Sequence, residues 1–484
     1  MRLSPTLLAA GLSFLLALPG GAATLYVAPK GAVAAKAVAD GSRARPWKSP
    51  AAALAKAKPG DTIVLLDGDH GTLAIKDRKF ARAVTIQAEN PRKAHLERIA
   101  ITGTSGNMVF RNLSVWPSNP AKAGATRVDA GFATNVTFDG LDVRSASTAA
   151  GYAGWTKAQW EGHALKGFQA RGAGVTLKNS TFTGLGFGVV MLGNGATVAG
   201  NAVRGFSMDG IRVLGNNSTV RGNLITDAVR INKNHPDAIQ SWAQNGKPVK
   251  GLVIADNTIV EWSSAKKSPY RAQLQGIGLF DGWYENLKIT GNDVAVTAYH
   301  GIAVYGGRNV QITGNTVVNA KGNKVGYPWI GIFDKKKGPP SSNVTVSGNT
   351  AMKYLGLPDR ANKVVSSGNG VIANPSATLK PILSAVASGT AVAVIKTAAT
   401  PSQLLVPETA VMMAPQNAIG NATEAILART AAPAFATAVA LEQSGGQGAA
   451  LSQAEAVAVP LPAGLWLMAG SLALLLGLRR NRTA

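Results

Sequence analysis

The pattern apolar-x-x-Asn-x-apolar recurs six times in the middle of the chain, and a repeat of that kind leaves few folds open. It occupies 198–203 around Asn201, 220–225 around Asn223, 254–259 around Asn257, 289–294 around Asn292, 312–317 around Asn315 and 346–351 around Asn349. Successive asparagines stand 22, 34, 35, 23 and 34 residues apart. Upstream, 177–182, 138–143 and 110–115 keep the frame with Ser180, Leu141 and Leu113 at the Asn position. A unit of about 20–25 residues with occasional longer insertions is the signature of a solenoid. Two short strands per unit, separated by Gly-Asn corners, make it a β-helix whose coils stack about 4.8 Å apart. At a corner, an Asn amide can bond its equivalents above and below, so the six asparagines are expected to be structural.

Composition narrows the function classes. The 484 residues contain no cysteine, which excludes a disulfide scaffold, a thiolate metal site and a cysteine nucleophile. With 46% hydrophobic and 15% charged residues, the chain is too apolar for disorder and can bury a sizeable core. A formal charge of +24 predicts attraction to polyanions without saying which.

Both ends read as addresses. An apolar run from Leu7 to Leu18 precedes Pro19-Gly20-Gly21-Ala22-Ala23, so 1–23 is expected to be a signal peptide cleaved after Ala23. Export argues against nucleic acid as the partner. At the other end, Val459-Pro460-Leu461-Pro462-Ala463-Gly464 leads into an apolar stretch to Leu478 and then Arg479-Arg480-Asn481-Arg482, a stop-transfer order. The 459–484 segment resembles the VPLPA variant of the PEP-CTERM sorting signal. That resemblance implies recognition by an exosortase-type machinery, transient membrane insertion of the C-terminal helix and a cell-surface destination; a plain membrane anchor is the alternative. Without Arg2, Arg479, Arg480 and Arg482 the mature chain keeps a charge of +20. Residues 373–458 are Ala-rich with scattered prolines and no corner register, and read as a low-complexity stalk.

The start of the mature chain, Tyr26-Val27-Ala28-Pro29-Lys30-Gly31, then an Ala-rich helical turn over 51–57, then Lys58-Pro59-Gly60-Asp61-Thr62-Ile63-Val64-Leu65 and Asp67-Gly68, resembles the N-terminal cap and first coil of secreted right-handed parallel β-helix proteins of the pectin-lyase type. The expected fold is therefore all-β: a right-handed parallel β-helix over 24–372 with an N-terminal capping helix that covers the open end of the stack, followed by the stalk and one C-terminal apolar helix. Covered ends favour a monomer.

A second column carries the candidate chemistry. Asp209-Gly-Ile211, Asp237-Ala-Ile239, Gln275-Gly-Ile277 and His300-Gly-Ile302 fall in consecutive coils. Alternation sends the isoleucines inward and Arg212, Gln240, Trp242, Phe280 and Tyr305 outward. A stripe of aromatic and amide groups suits sugars: ring faces take pyranose C–H surfaces, while amides and Arg take hydroxyls and carboxylates. The leading residues share side-chain parity with the core, yet at a strand entrance they can reach the cleft. Two carboxylates in adjacent coils push their pKa values apart, one serving as acid and one as base, and His300 can relay protons. The competing reading makes Asp209 and His300 turn residues that cap backbone amides.

Ser207-Met208-Asp209, Pro236-Asp237 and Tyr299-His300-Gly301 resemble the N-T-D, D-D and G-H-G elements of polygalacturonase-type hydrolases. Pro236 replaces one of the paired aspartates and no R-I-K follows, which puts ordinary inverting hydrolysis in doubt. The polar excursion from Arg230 to Asp237, through Lys233, His235 and Pro236, resembles the D-P-H element of alginate epimerases with its order changed. That resemblance implies His235 or Lys233 as base and Arg212 or Arg271 as neutraliser of a uronate. Insertions on one flank of a solenoid usually build its binding face. Trp262, Lys266, Lys267, Tyr270 and Arg271, then Trp283 and Tyr284, then Trp329 and Lys335, are expected to form a basic aromatic wall there. Asp281 and Asp334 are isolated, so calcium is possible but without a ligand set, and no cofactor is expected. His70, His95 and His163 are expected to be ordinary surface residues.

The reading is an exported, surface-associated protein cleaving (lyase or hydrolase) or epimerising an acidic polysaccharide, with Asp209, His235, Asp237 and His300 as the catalytic candidates. The alternatives are a non-catalytic glycan-binding matrix protein and an adhesin without a glycan site.

Overall fold

A computed structural model describes residues 21–32, 38–119, 121–335, 338–356 and 364–392, all within one unit, Met1–Lys396. The expected signal peptide up to residue 20, the 393–458 part of the stalk and the sorting segment lie outside the described residues.

The chain winds through three parallel sheets in a fixed order. One coil runs through Val253–Ala255 in sheet 1, Thr258–Val260 in sheet 3 and Gln275–Phe280 in sheet 2, then returns to sheet 1 at Tyr284–Thr290. Repetition gives sheets of 14, 11 and 12 described strands, each strand pairing in parallel with its equivalents one coil away. Parallel crossovers of this kind are right-handed in nearly all proteins. The inward positions form continuous apolar columns, for example Ile239, Ile277, Ile302 and Ile330, none with any exposure.

The corner between sheets 1 and 3 explains the repeat. It has only two residues, and the first lies at positive φ: Gly200, Gly222, Gly291, Gly314 and Gly348, with Asp256 taking the same conformation. Only Gly, or Asn and Asp by local bonding, adopts it readily. The second residue is the asparagine. Its backbone N–H and its amide both donate to the Oδ1 of the next one, at 2.9–3.1 Å from Asn201 through Asn349. Asn369 extends the ladder one coil beyond the six that the repeat revealed.

At the N-terminal end, the helix Pro50–Lys56 starts at Ser49, whose hydroxyl accepts from the Ala52 N–H, and it buries Ala53 and Leu54 in the main core. At the other end the sequence reading places the linker too early. Residues Pro375–Ser388 form a helix, opened by the Asn374 cap and closed by Gly389 at positive φ. Its Leu379, Ile382 and Val386 pack on Leu224, Val260, Ala295 and Val318, apolar outward residues of sheet 3. Composition alone could not reveal that an Ala-rich stretch had an apolar sheet face to cover.

Candidate functional site

The site lies on the outer face of sheet 2, where the strands enter from sheet 3. Ile211 pairs with Ile239, and Asp237 with Gln275; the same register carries on through Ile277 and Ile302. Asp209, Asp237, Gln275 and His300 therefore stand coil over coil, and Trp329 follows opposite His300. The parity argument needs correcting, however. A small residue after each leading residue holds the inward position, the fully buried Ala238 after Asp237 and glycine in the other three coils: a Cβ at Gly210 would meet Ile225 Cγ2 at 2.5 Å, at Gly276 Val294 Cγ1 at 2.6 Å, and at Gly301 Val317 Cγ1 at 2.2 Å. The corner tucks in because that side chain is missing or only a methyl, and the residue before it is turned toward the outward stripe.

That turn brings Asp209 and Asp237 to Arg212 and Gln240. Asp209 Oδ2 is ion-paired with Arg212 Nη2, and Asp209 Oδ1 accepts from the Asp237 N–H at 3.3 Å. Gln240 donates to Asp237 Oδ2 at 2.8 Å, while Asp237 Oδ1 is buried without a partner. Burial raises both carboxyls above the ordinary range; the neighbouring Asp209 raises Asp237 further, and Arg212 pulls against both. The pair is asymmetric: Asp209, bonded to the guanidinium, is the better placed to carry charge, and Asp237 is pushed the further toward its protonated form. Arg212 is itself clamped between the Phe187 and Trp242 rings, at 4.7 and 4.5 Å from their centroids. Phe187 went unnoticed in the sequence as a site residue, although its place at the head of Phe187-Gly-Val189 is the signal that locates it.

His300 is held differently. Its Nδ1 and Gln275 Oε1 are 2.5 Å apart, and its Nε2 lies 3.3 Å from the Tyr305 hydroxyl. Burial lowers its pKa to about 4, so the neutral ring donates to Gln275 and accepts from Tyr305. Rings then continue along the sheet: Phe280 and Trp329 lie 5.2 and 4.9 Å from His300, and Phe333 lies 4.8 Å from Tyr305. They lie flat because Gly278 and Gly331 occupy the column between. A Cβ on Gly278 would meet Phe280 Cε2 at 2.4 Å and Asp237 Oδ1 at 2.7 Å.

The column is closed rather than open. Asp209 and Asp237 are each 2% exposed and His300 6%, so the trough expected in front of them is filled by the aromatic side chains of the stripe itself. His235 and Lys233 are exposed on the excursion, whose Asn234 amide ties it to the Ser207 carbonyl at 3.1 Å. Lys335 and Trp283 flank Gly306, at the exit of sheet 2.

The expected basic wall is divided. Arg271 sits over Trp262, and Trp262 and Tyr270 pack against Tyr152, Trp155 and Trp160 from the excursion after Asp142–Arg144. Asp227 fastens these segments, accepting from the Tyr152 hydroxyl, from Ser263 N–H at 2.5 Å and from Ser264 N–H at 3.2 Å. Tyr284 leaves the wall altogether; it is buried in the core with its hydroxyl donating toward the Ser241 and Phe280 carbonyls. His70 is likewise buried, its Nε2 2.7 Å from the Leu66 carbonyl, His95 bridges Asp69 and the Trp116 carbonyl, and His163 stacks on Trp155. These histidines are structural, not ordinary surface residues. Among the described residues no three His, Asp or Glu side chains converge as a metal site.

Comparison with known proteins bears on the fold. No curated protein matches the chain. Among solved structures, the A-module of mannuronan C-5 epimerase AlgE6 from Azotobacter vinelandii is 17% identical, over 67% of this chain and 91% of that one, with a TM-score of 0.45. Pectate lyase Pel9A is 16% identical, over 73% and 79%, with a TM-score of 0.40. A rhamnogalacturonan lyase is 13% identical, over 72% and 86%, with a TM-score of 0.38. Residues 166–374 match the family model described as a right-handed β-helix region, the segment that holds every coil of the candidate site.

Proposed function

We propose that this protein is an exported enzyme that acts on an acidic polysaccharide along the outer face of sheet 2, with Asp237 as proton donor and Asp209 as the ionised partner. One observation carries the reading: a carboxyl whose Oδ1 is buried, unpartnered and one coil from a carboxylate held by Arg212, its pKa raised by that burial and that neighbour. Burying a polar group without a partner costs about 1–3 kcal/mol, and such groups mark functional sites. A positioned acid protonates the leaving glycosidic oxygen in hydrolysis and in elimination alike. Arg212, Gln240 and Trp242 give the pair its walls, and Phe280 must swing off Gly278 for a sugar to reach Asp237. The exposed Lys233 and His235 are the groups of the excursion available to a substrate from solvent. The net charge of the mature chain draws it to polyanions, and the two terminal segments route it through a Sec signal and an exosortase-type step to the cell surface.

The test is incubation with alginate, polygalacturonate and glycosaminoglycans, reading unsaturated-uronate absorbance, reducing ends and C5 proton exchange. Product is expected from at least one polymer, and Asp237→Asn lowers its rate about 100-fold or more. No product from any of them, or an undiminished Asp237→Asn, overturns the reading. A binding-only protein is the second reading, favoured by the near-complete burial of both aspartates; it predicts glycan affinity without product.

A further inference from the structure

Upstream on the same face of sheet 2 stands a group of arginines that neither the repeat nor the carboxylate pair accounts for. Val128 pairs with Ile99 and Asp129 with Ala100, so Arg127 lies directly beside Arg98 on the outward side. Like charges placed opposite one another in a sheet are destabilising. Arg127 is only 5% exposed, its Nη1 donates to the Glu97 carbonyl at 3.1 Å, and its Nε is buried without a partner; so is the Nε of Arg98. A third guanidinium, Arg171, lies 3.6 Å from Asp129 Oδ1, with Arg98 3.9 Å from Oδ2. Gln169, its amide turned so that the oxygen faces Arg171, accepts from both guanidinium nitrogens. Of these three cations, Arg98 and Arg171 share the one carboxylate of Asp129 and Arg127 has no ion pair among the described residues, with Glu97 close enough to act on it. Beside them Phe132 is 71% exposed, and the Arg171 guanidinium sits 5.9 Å from its ring centre.

An excess of guanidinium charge beside an exposed aromatic ring fits one kind of ligand: a ring with an apolar C–H face and an anionic substituent. We propose that Arg98, Arg127, Arg171 and Phe132 form a second subsite, which binds an anionic pyranose residue of a polysaccharide, carrying a carboxylate or a sulfate. Register places it on the line of the carboxylate pair: Asp129, Gln169, Val190 and Arg212 are successive members of one column. Three coils separate it from Arg212, about 14 Å along the stack. This inference rests on the reading of sheet 2 as a glycan-binding face and adds to it a site remote from the proton donor.

The experiment is calorimetric binding to the full chain carrying Asp237→Asn, with oligosaccharides of alginate (carboxylate), dextran sulfate (sulfate) and plain dextran (neutral). The added variants are Arg98→Gln with Arg171→Gln, and Phe132→Ala, all at accessible positions; circular dichroism checks the fold. The arginine pair is expected to weaken binding of an acidic probe at least about tenfold and to flatten its salt dependence. Phe132→Ala is expected to weaken it several-fold. Which acidic probe responds identifies the anion. Equal affinity for dextran, no affinity for either acidic probe, or acidic binding indifferent to the arginines overturns the subsite. If the wild type makes no product while the arginine variants lose affinity, the enzymatic reading fails and the subsite stands; product formation with indifference to the arginines means the reverse.

Discussion

At the scale of single residues, the candidate site turns on which side chain the corner leaves room for. The x-Gly-Ile pattern, with Ala238 in place of glycine in one coil, was enough to align Asp209, Asp237, Gln275 and His300 coil over coil. It did not say which way they face, because alternation is a rule for regular strand and the glycine sits at a bend. The arginine group was illegible for another reason: Arg98, Arg127 and Arg171 lie in coils whose corners keep the frame with Leu113, Leu141 and Ser180, and no x-Gly-Ile element there marks which outward residues stand beside one another. Protonation makes the site testable. Burial first and Asp209 second hold the Asp237 proton, so Asp209→Asn, which also frees Arg212, lowers the Asp237 pKa; a carboxyl NMR titration with no downward shift would contradict the pairing. Activity is expected to fall as pH rises through the Asp237 value and to fall again as Asp209 is protonated in acid, a bell. His300 has the opposite linkage to stability. Its folded pKa of about 4 lies below the ordinary 6.5, so the unfolded chain binds the extra proton and stability rises with pH across that window. Denaturant titrations should show the wild type gaining up to about 3 kcal/mol on His300→Gln between pH 4 and pH 7; a pH-independent difference would mean that the ring is not held neutral.

At the scale of elements, the sequence announced the asparagine ladder and concealed the helix after it. A ladder shows itself because one side chain recurs at one corner, whereas the packing face of Pro375–Ser388 has only Leu379, Ile382 and Val386 to mark it in a long Ala-rich stretch. The ladder is also graded. Asn257 accepts from Asn223 and donates to Val220 and Asn292, all buried, while Asn369 closes the series near solvent. Asn257→Ala strands several buried groups and is expected to cost roughly 2–4 kcal/mol, with Asn369→Ala costing less than half as much. Equal losses in urea melts would show that the amides act locally and not as a stacked column.

At the scale of the whole molecule, the net charge of +24 sets a background attraction on which local recognition is superimposed. Affinity for an acidic glycan is expected to drop as ionic strength rises from about 0.01 to 0.15 M, while a remainder persists from the aromatic stripe and the desolvated guanidiniums. Complete loss in physiological salt would leave only diffuse attraction. The longest detours from one sheet to another leave the coil at one junction, where sheet 3 hands over to sheet 2: 116–125, 145–165 and 261–274. The asparagine junction, by contrast, keeps its two residues in every coil from Gly200-Asn201 to Gly348-Asn349. A lineage built this way can lengthen or exchange one bend without disturbing the rungs on either side, and every such change lands beside the entrances of the sheet 2 strands. New appetites would thus be acquired by insertion at a single seam, with the scaffold inherited intact.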